Sequence, residues 1–345
     1  MTKGLIGLDW GSTQLRAYRY DDQGQVLEKR ALPYGIRHLP EGGFPAAFAQ
    51  AVEHWPELPV LACGMVGSRH GWLEVPYLDT PTSVDRLAGA LTALNVGGRT
   101  LHLVPGLRDP SRPDVMRGEE TQVVGVLAQA PDVARRGCLL LPGTHSKWVS
   151  LRAGHVTGFA TVMTGELFAL LTQHSILGAA LPPAVDDEQA FRRGVDAARE
   201  SGAAGALSRL FSARSLMLDG SLPPASVTDY LSGLLIGDEL RIAVAAGWAD
   251  ASSSIHMVGE GALCDRYLRA ASIFGLSIHQ APDATTSHSL WRIADAAGLI
   301  STQRKPTCRP PPARPASGHN WPATWWRRAA NECRRRRSRF PGACG

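Results

Sequence analysis

The chain has 345 residues and a formal net charge of +5, with 44% hydrophobic, 19% charged and 7% aromatic residues; this is the composition of an Ala/Leu/Val/Gly-rich α/β protein with room for about two domains. A wholly disordered, fibrous or membrane-embedded chain is excluded, because no apolar stretch approaches the roughly 20 residues of a spanning helix. The apolar run Gly4 to Leu8 is shorter than the roughly 7 to 15 apolar residues of a signal peptide, so a cytoplasmic protein with no membrane partner is expected.

In chain order, Gly4-Leu-Ile-Gly-Leu-Asp9 reads as a strand, Trp10-Gly-Ser-Thr13 as a turn and Leu15 to Tyr20 as an alternating second strand, a β-hairpin pattern. A helix is expected from Gly118 to Gln129. The hairpin design then recurs with Cys138-Leu-Leu-Leu141, the turn Pro142-Gly-Thr-His-Ser146 and Trp148 to Leu151, so that Gly11 answers to Gly143 and Ser12-Thr13 to Thr144. Either hairpin alone is commonplace, but two at domain-scale separation suggest a duplicated α/β domain whose turns face each other across a cleft.

Further helices are expected at Thr164 to His174, Asp187 to Arg199, Gly261 to Ile273 and Ser289 to Leu299. Ser226 and Asp229 make a capping-box-like start to a long core helix that Gly247 stops. Ile255 to Val258 reads as a strand entering the turn Gly259-Glu-Gly261. From Gln303 onward the composition changes abruptly: ten Arg and one Lys stand against the single Glu332, and no apolar periodicity remains. The tail reads as disordered, either a basic interaction arm or the product of a frame error, with the frame error favoured. Without it the body carries −5, which argues against a specific nucleic-acid partner. The cysteines form no CxxC pair, so neither a zinc site nor a disulfide framework is suggested.

Backbone N–H groups in Gly-Ser-Thr turns can converge on an anion, which makes Gly11, Ser12 and Thr13, and Gly143 and Thr144, candidate phosphate cradles. Asp9 would then hold Mg²⁺ through water, or simply form the turn. His145, Ser146 and Lys147 would add donors and positive charge to the second cradle, although His145 reads equally as structural. Gly259 and Gly261 let a backbone approach a flat ligand such as adenosine, or serve a tight connection. Walker and GxGxxG patterns are absent. Transfer of phosphate to an alcohol needs a carboxylate to take the proton, and Glu119 and Glu120 are candidates that could also just favour the helix dipole. Arg117 could bind an acidic substrate or be solvated.

At five segments the chain resembles the sugar-kinase branch of the actin and hexokinase superfamily, most closely the 2-dehydro-3-deoxygalactonokinases. These are Gly7-Leu-Asp-Trp-Gly-Ser-Thr13, Gly64-Met-Val-Gly-Ser68, Met116-Arg-Gly-Glu-Glu-Thr-Gln122, Leu141-Pro-Gly-Thr-His-Ser-Lys-Trp148 with Thr161-Val-Met-Thr-Gly-Glu-Leu167, and Gly259-Glu-Gly261. The resemblance implies a two-domain α/β actin-like ATPase fold, a duplicated ribonuclease H-like unit with an interdomain cleft that closes on its ligands. It implies an N-terminal domain over 1–130 with the sugar-acid site and a C-terminal domain over 131–302 with the nucleotide site; the resemblance stops near Thr302, and nothing in the tail over 303–345 matches. It also implies ATP with Mg²⁺, phosphate motifs at Asp9 to Thr13 and Gly143 to Ser146, and an adenosine motif at Gly259 to Gly261. The catalytic acid falls at Glu120, with Glu119 as its alternative. The implied reaction phosphorylates the 6-hydroxyl of 2-dehydro-3-deoxy-D-galactonate, bound near Gly67, Ser68 and Trp72 with Arg69 or Arg117 at its carboxylate. Rival readings are a kinase of another sugar or sugar acid and a non-enzymatic ATP-binding regulator. A homodimer stays open.

Overall fold

A computed structural model describes residues 4–250, 254–281 and 285–300. The chain opens with the antiparallel meander β1 (Leu5–Trp10), β2 (Leu15–Tyr20) and β3 (Val26–Leu32). Helix α1 (Gly43–Ala51) returns it to β4 (Val60–Cys63), which runs parallel to β1. After β5 (Leu78–Asp79) and α2 (Val84–Ala88), the hairpin β6 (Thr92–Val96) and β7 (Arg99–Leu103) completes a sheet ordered β3-β2-β1-β4-β7-β6. Strands β8 (Leu107–Asp109) and β9 (Asp114–Met116) join β5 in a small separate sheet, and α3 (Glu119–Gln129) and α4 (Pro131–Arg135) follow.

The design then repeats. Strands β10 (Arg136–Leu141), β11 (Ser146–Arg152) and β12 (His155–Val162) form a second antiparallel meander. Helices α5 (Thr164–His174), α6 (Glu188–Arg199), α7 (Ser212–Leu218) and α8 (Val227–Ala245) lead to β13 (Ile255–Met257), α9 (Gly261–Ile273) and β14 (Ile278–Gln280). The second sheet is ordered β12-β11-β10-β13-β14, with β13 parallel to β10 and β14 parallel to β13. That order and those directions match β3-β2-β1-β4-β7 in the first sheet, where β4 is parallel to β1 and β7 to β4. The duplication anticipated from the two hairpins is therefore present in the topology, and the architecture is the α/β actin-like one.

Local chemistry accounts for the elements. Strand β1 is covered on both faces and reads as an apolar run interrupted only by Asp9, whereas edge strand β3 is largely exposed and carries Glu28, Lys29 and Arg30. Helix α8 is buried along most of its length and packs tightly on α6. Glycine permits the approach: a Cβ at Gly233 would lie 2.0 Å from the Phe191 carbonyl oxygen, and one at Gly194 2.1 Å from that of Tyr230. The last helix among the described residues, α10 (Thr285–Ala296), comes back to the first sheet, packing on α3, β1 and β4.

The expected helices at 118–129, 164–174, 187–199, 226–247 and 261–273 correspond to α3, α5, α6, α8 and α9. Helix α10 begins ahead of Ser289, because its polar first turn carries no apolar periodicity. The capping box at Ser226 does not form, since Ser226 makes no side-chain cap. Asp229 instead accepts the Asp187 N–H at 2.6 Å and pairs with Arg266 at 2.7 Å. Among the described residues no helix is long and apolar enough to cross a membrane. The expectation for 303–345 lies outside the described residues.

Candidate active site

The first turn joins β1 to β2 and is held from outside by the following loop. Gly11 N–H donates to the Gln14 carbonyl at 2.9 Å, while Ile36 and Arg37 donate to the carbonyls of Gly11 and Ser12 at 3.1 Å. Ser12 is half-buried and Thr13 exposed. Asp9, at the end of β1, is partly buried and 3.2 Å from Arg16. Burial raises its carboxyl above the ordinary range, and Arg16 offsets only part of that.

The start of α3 approaches the end of β1 through Gly64, where a Cβ would lie 2.8 Å from the Trp10 carbonyl oxygen. Gly118, at φ 105°, caps the helix, and a Cβ there would lie 3.4 Å from the Cα of Gly64. Glu120 is completely buried: it accepts the Gly118 N–H at 2.6 Å and the Thr121 hydroxyl at 3.0 Å. Burial, and then the neighbouring Glu119, push its carboxyl up to about 8. Glu119 accepts the Arg117 N–H at 2.9 Å and is only partly buried. Its carboxyl is raised by burial but drawn down by the charges of Lys147 and, less, His145. Glu119 is thus the acid that senses the second turn, and Glu120 is the one enclosed behind it.

The second turn divides its residues between surface and interior. Gly143 has open space on its Cβ side, and Thr144 and His145 are exposed, His145 pairing with Glu166. Ser146 is buried, its hydroxyl 3.0 Å from that of Tyr267, and Lys147 is buried with its Nζ donating to Thr161 Oγ1 at 2.7 Å and to the Val115 carbonyl at 3.1 Å. Packing from α5 supports the turn, because Gly165 meets Gly143 and Thr144 so closely that a Cβ would lie 2.5 Å from the Gly143 oxygen.

Gly259 abuts the same turn, its Cβ position 3.4 Å from Pro142, and Gly261 opens α9 into free space. Around them lies a cavity of about 590 Å³ whose lining includes Gly143, Thr144, Gly165, Glu260 and Leu263. The fold therefore brings Gly143 and Thr144 to one cavity with Glu260, the residue between Gly259 and Gly261, while the two glycines themselves do not line it. Ser146 and Lys147 are committed to internal hydrogen bonds.

Near the other proposed ligand, Gly67 ends a short 3₁₀ turn (Met65–Gly67) and is buried, as is Ser68. Arg69 is exposed. Trp72 is half-buried and stacks on Phe44 with ring centroids 5.7 Å apart, next to Trp10, so it belongs to an aromatic cluster under the first turn. Arg117 is buried, donating from Nη2 to the Val75 carbonyl at 2.6 Å and lying 4.4 Å from the Tyr77 ring centre. Its Nε and Nη1, and the Ser68 hydroxyl, have no hydrogen-bond partner.

Sequence reasoning missed Glu239. It is fully buried in α8 and accepts hydrogen bonds from Trp148 at 2.8 Å, Tyr267 at 2.6 Å and Thr164. The signal was available as an acid between apolar neighbours in a helix buried all round.

Comparison with known proteins identifies the family. A family model for 2-keto-3-deoxy-galactonokinase matches residues 9–293. The 2-dehydro-3-deoxygalactonokinase of Escherichia coli (strain K12) is 38% identical over 283 residues, covering 81% of this chain and 92% of that protein. DgoK1 of Rhizobium meliloti (strain 1021), assigned the same activity, is 38% identical over 79% of this chain and 90% of its own length. A crystal structure from Sinorhizobium meliloti with that assignment superposes with a TM-score of 0.77 at 35% identity, covering 85% of this chain and 98% of that one. With a family model spanning most of its length and two relatives at this level of identity, the chain belongs to the 2-keto-3-deoxy-galactonokinase family.

Proposed function

We propose that this chain is an ATP-dependent kinase that phosphorylates the 6-hydroxyl of 2-dehydro-3-deoxy-D-galactonate in the cytoplasmic breakdown of galactonate or galactose. The observation that carries the reading is the convergence of Gly143, Thr144 and the Gly259–Gly261 turn, through Glu260, on one large cavity, with Glu119 electrostatically coupled to the Gly143 turn. Adenosine lies against Gly259 and Gly261, and the phosphates extend past Gly143 and Thr144 toward Gly11, Ser12 and Thr13. The reading assigns these turns to two lobes, 1–130 and 131–302, that close on the ligands and exclude water.

The substrate hydroxyl oxygen bonds to the γ-phosphorus, the bond from that phosphorus to the bridging oxygen breaks, and ADP leaves with the electron pair. Glu119 accepts the hydroxyl proton, a contribution of about 10² to 10⁴ in rate. Glu120, the acid first implied by the resemblance, holds the Gly118 N–H and keeps Glu119 company as a largely protonated neighbour. Lys147 and His145 contribute positive potential toward Glu119.

Asp9 fits a Mg²⁺ role. Its carboxylate is desolvated and incompletely compensated by Arg16, and no group of three or more acidic, His or Cys side chains suited to a metal exists among the described residues. Mg²⁺ commonly takes one or two carboxylates, water and substrate phosphates rather than a cage of protein ligands. When bound, it supplies charge neutralisation at the phosphates.

ATP consumption measured with this keto acid and with its gluconate-derived epimer tests the function. Turnover strongly favouring the galactonate-derived acid is expected. Preference for a different sugar acid would reassign the substrate, and ATP binding without turnover of any acid would make the protein a regulator of the same fold.

A further inference from the structure

We propose that Arg117 and Ser68 form the receptor for the substrate carboxylate and thereby make the enzyme select a 2-oxo acid over a neutral sugar. The inference rests on the sugar-acid kinase reading and identifies the residues that read the acid end of its substrate. Arg117 is only 9% exposed and makes no ion pair with any acid among the described residues. A guanidinium withdrawn from water without an anion is unfavourable unless something else completes it.

Its surroundings hold it in place without satisfying it. The Val75 carbonyl takes one donor of Nη2, and the Tyr77 ring lies against the guanidinium face, fixing its position. Nε and Nη1 are buried with no acceptor. Ser68 is likewise 8% exposed with an unpartnered hydroxyl. Gly67, next to Ser68 in sequence, approaches the guanidinium: a Cβ there would come within 3.0 Å of Nη1 and 3.3 Å of Val75. A side chain at 67 would press on the guanidinium, so glycine is what lets the backbone pass this close to that donor.

Unsatisfied buried donors of this kind, one of them charged, call for an anionic acceptor. Arg69 is exposed and carries no such debt to the fold. The backbone N–H of Arg117 donates to the Glu119 carboxylate at 2.9 Å, so one short segment carries both the proposed acid receptor and the proposed proton acceptor. In a six-carbon 2-oxo acid the carboxylate and the reacting hydroxyl occupy opposite ends of the molecule. A neutral sugar would leave Arg117 buried and unpaired, which is a strong basis for discrimination.

The test compares the keto acid with its decarboxylated analogue, the 2-deoxypentose of the same configuration, in wild type, Arg117→Met and Ser68→Ala. Thermal unfolding and KM for ATP check each variant's integrity. Arg117→Met should lower kcat/KM for the keto acid at least about 100-fold, leaving the pentose and KM for ATP within about twofold, so the preference for acid collapses. Ser68→Ala should move the same ratio by about tenfold. Equal losses for both substrates, or an unchanged ratio in folded variants, overturn the receptor. Calorimetric binding of the keto acid separates this from the function: binding lost in Arg117→Met supports the receptor even if wild type turns over no acid. Binding unchanged in that variant removes the receptor and leaves the kinase reading standing.

Discussion

Tyr267 donates a 2.6 Å hydrogen bond to Glu239, while its oxygen lies 3.0 Å from the Ser146 hydroxyl. A buried acid in α8 is thereby wired to both the turn after β10 and the first turn of α5, where Thr164 also donates to it. Burial raises the Glu239 carboxyl, and its donors pull it back down. Glu239→Gln presents an amide N–H to one of these donors, so we expect a loss of about 1–3 kcal/mol in thermal unfolding. The KM for ATP should rise while the KM for the sugar acid holds. Equal movement of both constants would mark general damage instead.

Glu119→Gln should abolish turnover, by about 10² to 10⁴, with nucleotide affinity nearly unchanged. Glu120→Gln should retain most of it, because Glu120 has no exposed surface. Steady-state kinetics of both variants with calorimetric ATP binding decide this; loss confined to Glu120→Gln returns the base to the residue first implied by family resemblance.

Glu120 also sets a pH dependence of stability. Its carboxyl is pushed from 4.5 to about 8 in the folded protein, so the folded state holds a proton that the unfolded chain releases. The stability this provides is complete below about pH 4.5 and is lost as pH rises toward about 8. Glu120→Gln should therefore flatten the decline in melting temperature between those limits and stabilise the protein most at the alkaline end. A parallel decline in both proteins would remove Glu120 as its source.

Asp9→Asn should weaken Mg²⁺ dependence at its source, raising the metal concentration for half-maximal rate about tenfold or more with little change in fold. Titration of Mg²⁺ at saturating ATP and acid reads this directly. An unchanged midpoint would return Asp9 to a turn-forming role with Arg16.

The family match ends at residue 293. A chain truncated after Thr302 should keep its kinase activity and bind polyanions less, since ten Arg and one Lys leave with the tail. Heparin retention and turnover of the two chains check it; loss of activity on truncation would give the segment a catalytic or folding role.

Much of this architecture was legible because its signals are local. The Gly11 and Gly143 turns follow short apolar strands, and the helices show their apolar spacing in sequence. What stayed hidden depended on contacts between distant segments. Nothing at Arg117 distinguishes it from Arg69 until Val75 and Tyr77 enclose one and water surrounds the other. Likewise, Glu119 and Glu120 each align with apolar positions of α3, and only burial separates the partly open acid from the enclosed one. Trp72 reads as part of a ligand site from the family resemblance alone; its contacts with Phe44 and Trp10 are packing relationships that no spacing encodes.

Helix α10 ties the end of the described chain to its beginning. Tyr20 donates to the Ser287 carbonyl at 2.7 Å, and Leu290 is fully buried close to Gly7. During synthesis the first sheet therefore emerges from the ribosome long before the helix that covers it. Until α10 arrives, the apolar surface awaiting Leu290 and Ile293 is open to water and to other nascent chains. A gene fragment encoding only the early strands should accordingly yield an aggregating product, and co-expression of the α10 segment as a separate peptide offers a route to its rescue.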